Sequence, residues 1–134
     1  MNWFNVRNVN AENKSAELMI SGKIGKSLWD DDTVAANDFI RTVNAFGEVE
    51  TIDILLNSPG GSVNDGIAIY NYLKRHKATV NIEVLAEASS IASVILQAAD
   101  IRSVPSNALV MVHDPMAPLM GMFNADELRA MAGR

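Results

Sequence analysis

Two consecutive strand–loop–helix units in the middle of the chain constrain its fold more than any other feature of the sequence. In the first, an apolar segment at 51–57 ends in a Ser-Pro-Gly-Gly break, and a helical pattern follows over 62–77. In the second, apolar and polar residues alternate over 79–85, and a helical pattern covers 90–99 after a predicted turn. Strands that are connected through a helix run parallel, with a right-handed crossover. The sequence therefore predicts a layered α/β fold with a parallel sheet.

Both predicted helices have an apolar stripe at helical spacing. In the first, Ser62 and Asp65 have the spacing of a capping box, and the basic run at 74–77 suits the carboxyl end of a helix. The predicted stripes are Val63, Ile67, Tyr70 and Leu73 in the first helix and Ile91, Val94, Ile95 and Ala98 in the second. The turn before the second helix is predicted at 86–89. Each helix is therefore expected to bury one face.

Further elements flank the two units. The segment 17–21 predicts a strand that leads into a glycine-containing loop. Residues 36–43 predict a helix, and the three aspartates at 30–32 before it are interpreted as a helix start rather than a metal site. The segments 101–104 and 108–113 predict two short strands.

The composition narrows the possible classes of function. The chain carries 11 Lys and Arg residues against 16 Asp and Glu residues, and the net charge of −5 argues against a nucleic-acid partner. The chain has no cysteine, so metal sites with thiolate ligands are excluded, and no metal site is predicted. No apolar run approaches the roughly 20 residues that cross a bilayer, and the amino terminus lacks a signal-peptide pattern. We therefore predict one domain over 1–134, in the cytoplasm, with no membrane partner.

Residues that suit acyl transfer are predicted at three strand ends. In open α/β sheets, sites form at the carboxyl ends of the strands. Here those ends carry the Gly60-Gly61 loop, the turn with Ser89 and Ser90, and His113. Together they supply a hydroxyl nucleophile, an imidazole base and backbone N–H donors for an oxyanion. The glycine pair lacks the other residues of a P-loop or a dinucleotide turn, so no nucleotide cofactor is predicted.

Structural explanations of the same residues stay open at this point. Ser90 precedes a helix and would serve there as an ordinary cap, whereas Ser89 would be the nucleophile if the turn were shifted by one residue. Ser93 lies one turn into the helix and should point elsewhere. A core histidine is the alternative for His113, and His76 is interpreted as part of a solvated helix end.

Four segments of the sequence resemble one known family. They are 57–63 (Asn-Ser-Pro-Gly-Gly-Ser-Val), 66–70 (Gly-Ile-Ala-Ile-Tyr), 87–93 (Glu-Ala-Ser-Ser-Ile-Ala-Ser) and 111–115 (Met-Val-His-Asp-Pro). Together they resemble the proteolytic subunit of Clp protease, and in detail its phage and prophage relatives, the Clp-like head-maturation proteases. The resemblance runs from about Leu18 to Pro115. It implies a ClpP/crotonase-like layered fold with right-handed βα crossovers and no cofactor.

The resemblance implies a serine endopeptidase. Ser90 matches the nucleophile of the family, and His113 matches the general base. The backbone N–H groups of Gly61 and Ile91 match the oxyanion hole. Ser90 is chosen over Ser89 because it aligns with the family's nucleophile when the glycine motif is kept in register.

The resemblance also implies partners. The residues expected to form the wall of a substrate groove by backbone pairing are Gly60, Ser62 and Val63. The implied substrate is a polypeptide, the implied assembly is a ring-type homo-oligomer, and an ATP-dependent unfoldase is an implied partner.

The chain departs from the family in its third triad residue. The family places an aspartate after a long protruding helix, the handle helix, beyond the histidine. Here Asn124 and Glu127 mark the start of such a helix, and the sequence ends about two turns later. Asp114 would point to the opposite face of the strand from His113, and Asp126 is no better supported. We therefore expect a domain truncated at the start of the handle helix, with little activity in isolation.

Three other interpretations compete with the protease. Crotonase-type acyl-CoA enzymes share a related architecture but need a carboxylate pair, and the one glutamate at a predicted strand end is Glu87. A Ser/Lys peptidase would leave His113 unused. A catalytically inactive Clp-like assembly or scaffold subunit would explain the missing aspartate. Hydrolysis that depends on Ser90 separates the scaffold from the enzyme.

Overall fold

A computed structural model of the protein describes residues 2–26, 34–112 and 124–132. The strands are β1 (Phe4–Asn10), β2 (Ser15–Ser21), β3 (Thr51–Ser58), β4 (Thr79–Ser89), β5 (Ile101–Ser103) and β6 (Leu109–Met111). The helices are α1 (Ala36–Asn44), α2 (Val63–Arg75), α3 (Ile91–Leu96) and α4 (Ala125–Ala132).

The strands form one sheet in the order β1-β2-β3-β4-β5, and β6 also pairs with β4. All pairs from β2 onwards are parallel, and α1, α2 and α3 connect successive strands. This confirms the predicted α/β fold with a parallel sheet. The sequence does not predict β1, which pairs antiparallel with β2, because three of its seven residues are asparagine, a residue depleted in strands.

Strand β4 is longer than its sequence predicts. The prediction of a turn at 86–89 is wrong, because β4 continues to Ser89. Its first half pairs with β5, and its last three residues pair with β6, where Ser89 lies opposite Met111. The second partner is remote in sequence, so a local pattern does not reveal it. The extension carries the end of β4 to the edge where β6 ends.

The core lies between the sheet and helices α1, α2 and α3. Alternate residues of the central strands are buried in it: Ala16, Leu18, Ile20, Ile52, Ile54, Leu56, Val80, Ile82 and Val84. Helix α1 adds Phe39, whose ring packs against those of Trp3 and Phe4 at centroid distances of 5.9 and 5.3 Å. This alternation sets the strand register, because a slip of one residue would turn every buried side chain to the other face.

The buried face of α2 differs from the predicted stripe. Its buried residues are Gly66, Ile69 and Leu73, whereas Ile67 is 44% exposed. A β-carbon on Gly66 would overlap the side chain of Ile91, so α2 and α3 approach each other through a residue without a side chain. A pattern of apolar side chains does not detect such a contact.

The two outer helices begin close to the positions that the sequence indicates. Helix α1 begins at Ala36 with Asp38 in its first turn, and the aspartates at 30–32 lie outside the described residues. Before α4, the side chain of Asn124 accepts a hydrogen bond from the N–H of Glu127 at 2.8 Å, which confirms the predicted helix start. Within the described ranges, no helix is both long and apolar enough to span a bilayer.

Candidate active site

Ser90 lies at the junction of β4 and α3 in a backbone conformation that few residues with a side chain adopt. Its φ is 56° and its ψ is −130°. Its N–H donates to the carbonyl of Met111 at 2.8 Å, and its own carbonyl accepts from the N–H of Ser93 at 2.9 Å. Such a conformation costs about 1–3 kcal/mol and persists only where its surroundings hold it. Strand β6 and the first turn of α3 provide that support.

The hydroxyl groups of the three neighbouring serines differ in their environments. Ser90 stands at the N-cap position of α3 but accepts no hydrogen bond from the described helix, and it is partly exposed. Ser89 is buried and donates to the carboxylate of Glu87 at 2.9 Å. Ser93 is also buried and donates to the carbonyl of Ser90 at 2.6 Å. Among the described contacts, Ser90 is therefore the serine of the three whose hydroxyl is not committed to a neighbour.

The loop that follows β3 packs directly on Ser90. A β-carbon on Gly60 would lie 2.7 Å from Cβ of Ser90 and 3.2 Å from its Oγ. Gly60 has a φ of 113°, which favours glycine for a second reason. The buried hydroxyl of Ser58 accepts the N–H of Gly60 at 3.0 Å and donates to the carbonyl of Gly22 at 2.6 Å. Two neighbouring segments thus hold Gly60 against Ser90.

Gly61 is held by the loop that follows β2. Ile24 donates its N–H to the carbonyl of Gly60 and accepts the N–H of Ser62, both at 2.8 Å. Ile24 and Gly61 therefore face each other as partners in a parallel bridge. Because this bridge uses the peptide groups on either side of Gly61, the N–H of Gly61 itself points away from Ile24.

The first turns of α2 and α3 meet next to this loop. The hydroxyl of Ser62 caps α2 by accepting the N–H of Asp65 at 3.2 Å, and Val63 is the half-buried first residue of the helix. Ile91 is the buried first residue of α3 and contacts Gly66 of α2. The structure thus brings together Ser90, the glycine loop and the starts of both helices.

The predicted base is not among the described residues. His113 and Asp114 both lie outside them. Met111, two residues before the histidine, is the residue whose carbonyl accepts the N–H of Ser90. Asp126, the other carboxylate considered, is exposed on α4 and forms an ion pair with Arg129 at 2.9 Å.

The second histidine lies at the other end of β4 from Ser90. His76 ends α2, and its Nδ1 accepts the N–H of Ala78 at 3.0 Å. Burial lowers the pKa of His76, and burial also raises the pKa of Tyr72, whose ring packs edge-on against the imidazole. His76 is therefore half-buried and hydrogen-bonded, at a helix end whose basic neighbours Lys74, Arg75 and Lys77 are exposed.

Sequence analysis missed two residues that shape this region. Ser58 bonds to the N–H two residues later, and a serine directly before a turn is a local signal that was available. Asp65 was assigned to a capping box, but its carboxylate accepts the N–H groups of Lys26 at 3.0 Å and Ala36 at 2.8 Å. Those partners lie 39 and 29 positions away, so no local pattern could identify them.

Comparison with known proteins adds an independent finding. The family model described as Clp protease matches residues 11–133. One relative, the ATP-dependent Clp protease proteolytic subunit of Ligilactobacillus salivarius (strain UCC118), is 30% identical to this chain over 119 residues. The match covers 87% of this chain and 58% of the relative, so the chain spans less than two thirds of the length of that protein.

Proposed function

Because the chain belongs to the Clp protease family, we propose that it is a serine endopeptidase whose nucleophile is Ser90. The observation that carries this assignment is the contact between Ser90 and Gly60, which sets a hydroxyl with no partner among the described residues against a backbone loop. Acyl transfer needs such a hydroxyl beside backbone N–H donors. The strained φ of Ser90 adds support, since strain of this kind clusters at active sites.

In the proposed reaction, His113 is the general base. It removes the proton from Ser90 as Oγ attacks the carbonyl carbon of the peptide, and the electrons of the C=O π bond move to oxygen. The imidazolium then gives its proton to the leaving amine as the C–N bond breaks, and an ester on Ser90 remains. A water molecule, deprotonated by the same imidazole, hydrolyses the ester and restores the serine.

Chain geometry supports the role of His113. Met111 is bonded to the backbone of Ser90, and two residues of chain span at most about 7 Å. This connection is short enough for residue 113 to reach the Ser90 hydroxyl, which supports the proposed pairing of the two side chains.

The proposed oxyanion donors are the N–H groups of Gly61 and Ile91. Support comes from the direction of the Gly61 N–H, away from Ile24, and from the place of Ile91 at the start of α3, where an N–H has no partner within the helix. Loss of one such donor typically lowers turnover about 10²- to 10³-fold.

The proposed substrate is an extended polypeptide. It would lie along the loop that contains Gly60, Ser62 and Val63, and it would pair with those peptide groups of the loop that are not already bonded to Ile24 or Ser58. A ring-type homo-oligomer and an ATP-dependent unfoldase partner belong to the same proposal, as does membership in the phage and prophage branch. The motifs at 57–63 and 87–93 support the branch assignment.

The alternatives have weaker support. An inactive scaffold subunit would not explain the strained φ of Ser90, because such strain lowers stability. A crotonase-type reaction would need the carboxylate of Glu87 free for acid–base chemistry, and it accepts a hydrogen bond from Ser89.

Labelling with a fluorophosphonate tests the proposal. We expect the reagent to modify the peptide that contains Ser90 and to leave Ser90→Ala unmodified. Ser89→Ala is the matched control, since it removes the adjacent hydroxyl and should stay reactive. His113→Gln should react at least about 10²-fold more slowly. Continued labelling of Ser90→Ala, or loss of labelling in Ser89→Ala with the fold intact, would contradict the assignment.

A further inference from the structure

We propose that Asp65 is a positioning residue that orients the N–H of Gly61. The inference rests on the proposed function, in which that N–H stabilises an oxyanion. Oδ2 of Asp65 accepts the N–H of Lys26 at 3.0 Å, and Oδ1 accepts the N–H of Ala36 at 2.8 Å. One carboxylate thus holds residue 26 of the loop after β2, and the first residue of α1, against the first turn of α2.

The tie reaches the glycine loop through Ile24. Lys26, which Asp65 holds, follows Ile24 by two residues, and Ile24 is bonded to the carbonyl of Gly60 and the N–H of Ser62. The hydroxyl of Ser62 in turn accepts the N–H of Asp65. Hydrogen bonds therefore connect Asp65 to the Gly60-Gly61 loop in two ways, through the segment 24–26 and through Ser62. When the N–H of Lys26 loses its bond to Asp65, the segment 24–26 no longer fixes the loop, and the peptide of Gly61 is free to rotate.

The space beside Asp65 is shaped for this contact. Gly25 has a φ of 86°, and a β-carbon on it would overlap the carboxylate of Asp65. The backbone therefore approaches the carboxylate closely because residue 25 has no side chain. The overlap at Gly25 is independent of the two hydrogen bonds and places the carboxylate in the same position.

An ordinary capping role does not explain these contacts. In a capping box, the side chain of Asp65 would turn back to the N–H of Ser62. That N–H is instead bonded to the carbonyl of Ile24, and the carboxylate is directed at the loop. The hydroxyl of Ser62 already caps the helix. The carboxylate therefore holds the loop in place and is not needed to cap the helix.

The test compares Asp65→Asn with Asp38→Asn. The first keeps the shape but replaces one acceptor oxygen with a donor. Asp38 is the matched control because its Oδ2 also accepts a backbone N–H, that of Ala35 at 3.1 Å, at the start of α1. We expect Asp65→Asn to raise the amide exchange rates of Ile24 and Ser62 at least tenfold. The control should change them less than twofold.

Fluorophosphonate kinetics supply the functional arm. For Asp65→Asn we expect the rate constant of the covalent step to fall at least tenfold, while the affinity for the reagent changes less than threefold. A variant that is only destabilised would contain fewer reactive molecules, but its rate constant for the covalent step would not fall relative to its affinity for the reagent. Asp38→Asn should show parent kinetics.

A pair of glycine variants repeats the test by another route. Gly25→Ala places a methyl group where the carboxylate lies and should reproduce the effects of Asp65→Asn. Gly47→Ala has a similar φ of 75° but open space around it, so it carries the backbone strain without displacing Asp65. It should leave the labelling rate within threefold of the parent.

Unchanged exchange at Ile24 and Ser62 in Asp65→Asn would overturn the inference, as would faster exchange with an unchanged covalent step. If Ser90→Ala is labelled as fast as the parent chain, the proposed function fails. The exchange arm still decides whether Asp65 holds the loop: faster exchange supports the contact, and unchanged exchange overturns it.

Discussion

Gly60 and Ser90 touch so closely that a β-carbon on Gly60 would lie 2.7 Å from Cβ of Ser90. The two residues follow adjacent parallel strands, β3 and β4, near the point where Ser58 pairs with Ala88. The carboxyl ends of parallel strands meet at one edge of a sheet. The contact therefore follows from the topology, and it depends on position 60 having no side chain.

The first prediction concerns Gly60→Ala. The methyl group would press on the hydroxymethyl group of Ser90, and alanine is also strained at a φ of 113°. We expect a loss of at least tenfold in the fluorophosphonate labelling rate and a loss of about 1–3 kcal/mol in stability. Gly47→Ala is the control, since Gly47 has a φ of 75° with open space around it. Equal labelling of the two variants would show that the contact is not needed.

The second prediction concerns Ser58→Ala. Its buried hydroxyl bonds to the N–H of Gly60 and the carbonyl of Gly22, and both groups would lose this partner. We expect the free energy of unfolding, measured with urea, to fall by about 1–3 kcal/mol. Ser106→Ala, at an exposed turn, should change it by less than about 0.5 kcal/mol. A stability change as small as that of the control would mean that water replaces the hydroxyl at no cost.

The third prediction concerns Gly66→Ala. In an exposed helix this change gains about 1 kcal/mol in helix propensity. Here the added carbon would overlap Ile91, so we expect a net loss of about 1–3 kcal/mol instead. When Ile91→Ala is combined with Gly66→Ala, it should recover part of that loss. A thermodynamic cycle with a coupling below about 0.5 kcal/mol would rule out the overlap as the cause.

The fourth prediction concerns pH. Burial lowers the pKa of His76 in the folded state, so as pH falls the unfolded state takes up the proton first. The contribution of His76 to stability is therefore complete above its ordinary pKa of 6.5 and is lost as pH falls from there through the lower folded pKa. His76→Asn offers the N–H of Ala78 an acceptor that does not titrate.

Thermal unfolding checks this prediction. The midpoint temperature of the parent should fall more between about pH 7.5 and pH 5 than that of His76→Asn. Parallel pH profiles for the two chains would assign the dependence to other groups. Asn44→Ala serves as a control, because it removes the hydrogen-bond partner of Tyr72, whose ring packs against His76, and leaves the histidine able to titrate.

The elements with a strong local pattern were predicted well. The strand β3 and the Ser62 start of α2 have local causes, namely a run of apolar residues and a side chain that caps the helix three residues on. Where the partner was remote, prediction failed. The end of β4 depends on β6, and the face that α2 buries depends on the contact of Gly66 with Ile91.

By itself, the sequence determined the order of strands and helices from β2 onwards, the parallel sheet and the candidate residues at the strand ends, because hydrophobic period and turn chemistry act over a few neighbouring residues. The tertiary structure decided that the hydroxyl of Ser89, the first of two adjacent serines, is bonded to Glu87, and which backbone groups the carboxylate of Asp65 holds. Those outcomes depend on hydrogen bonds and steric contacts between segments far apart in the chain, and such contacts exist only after the sheet has assembled.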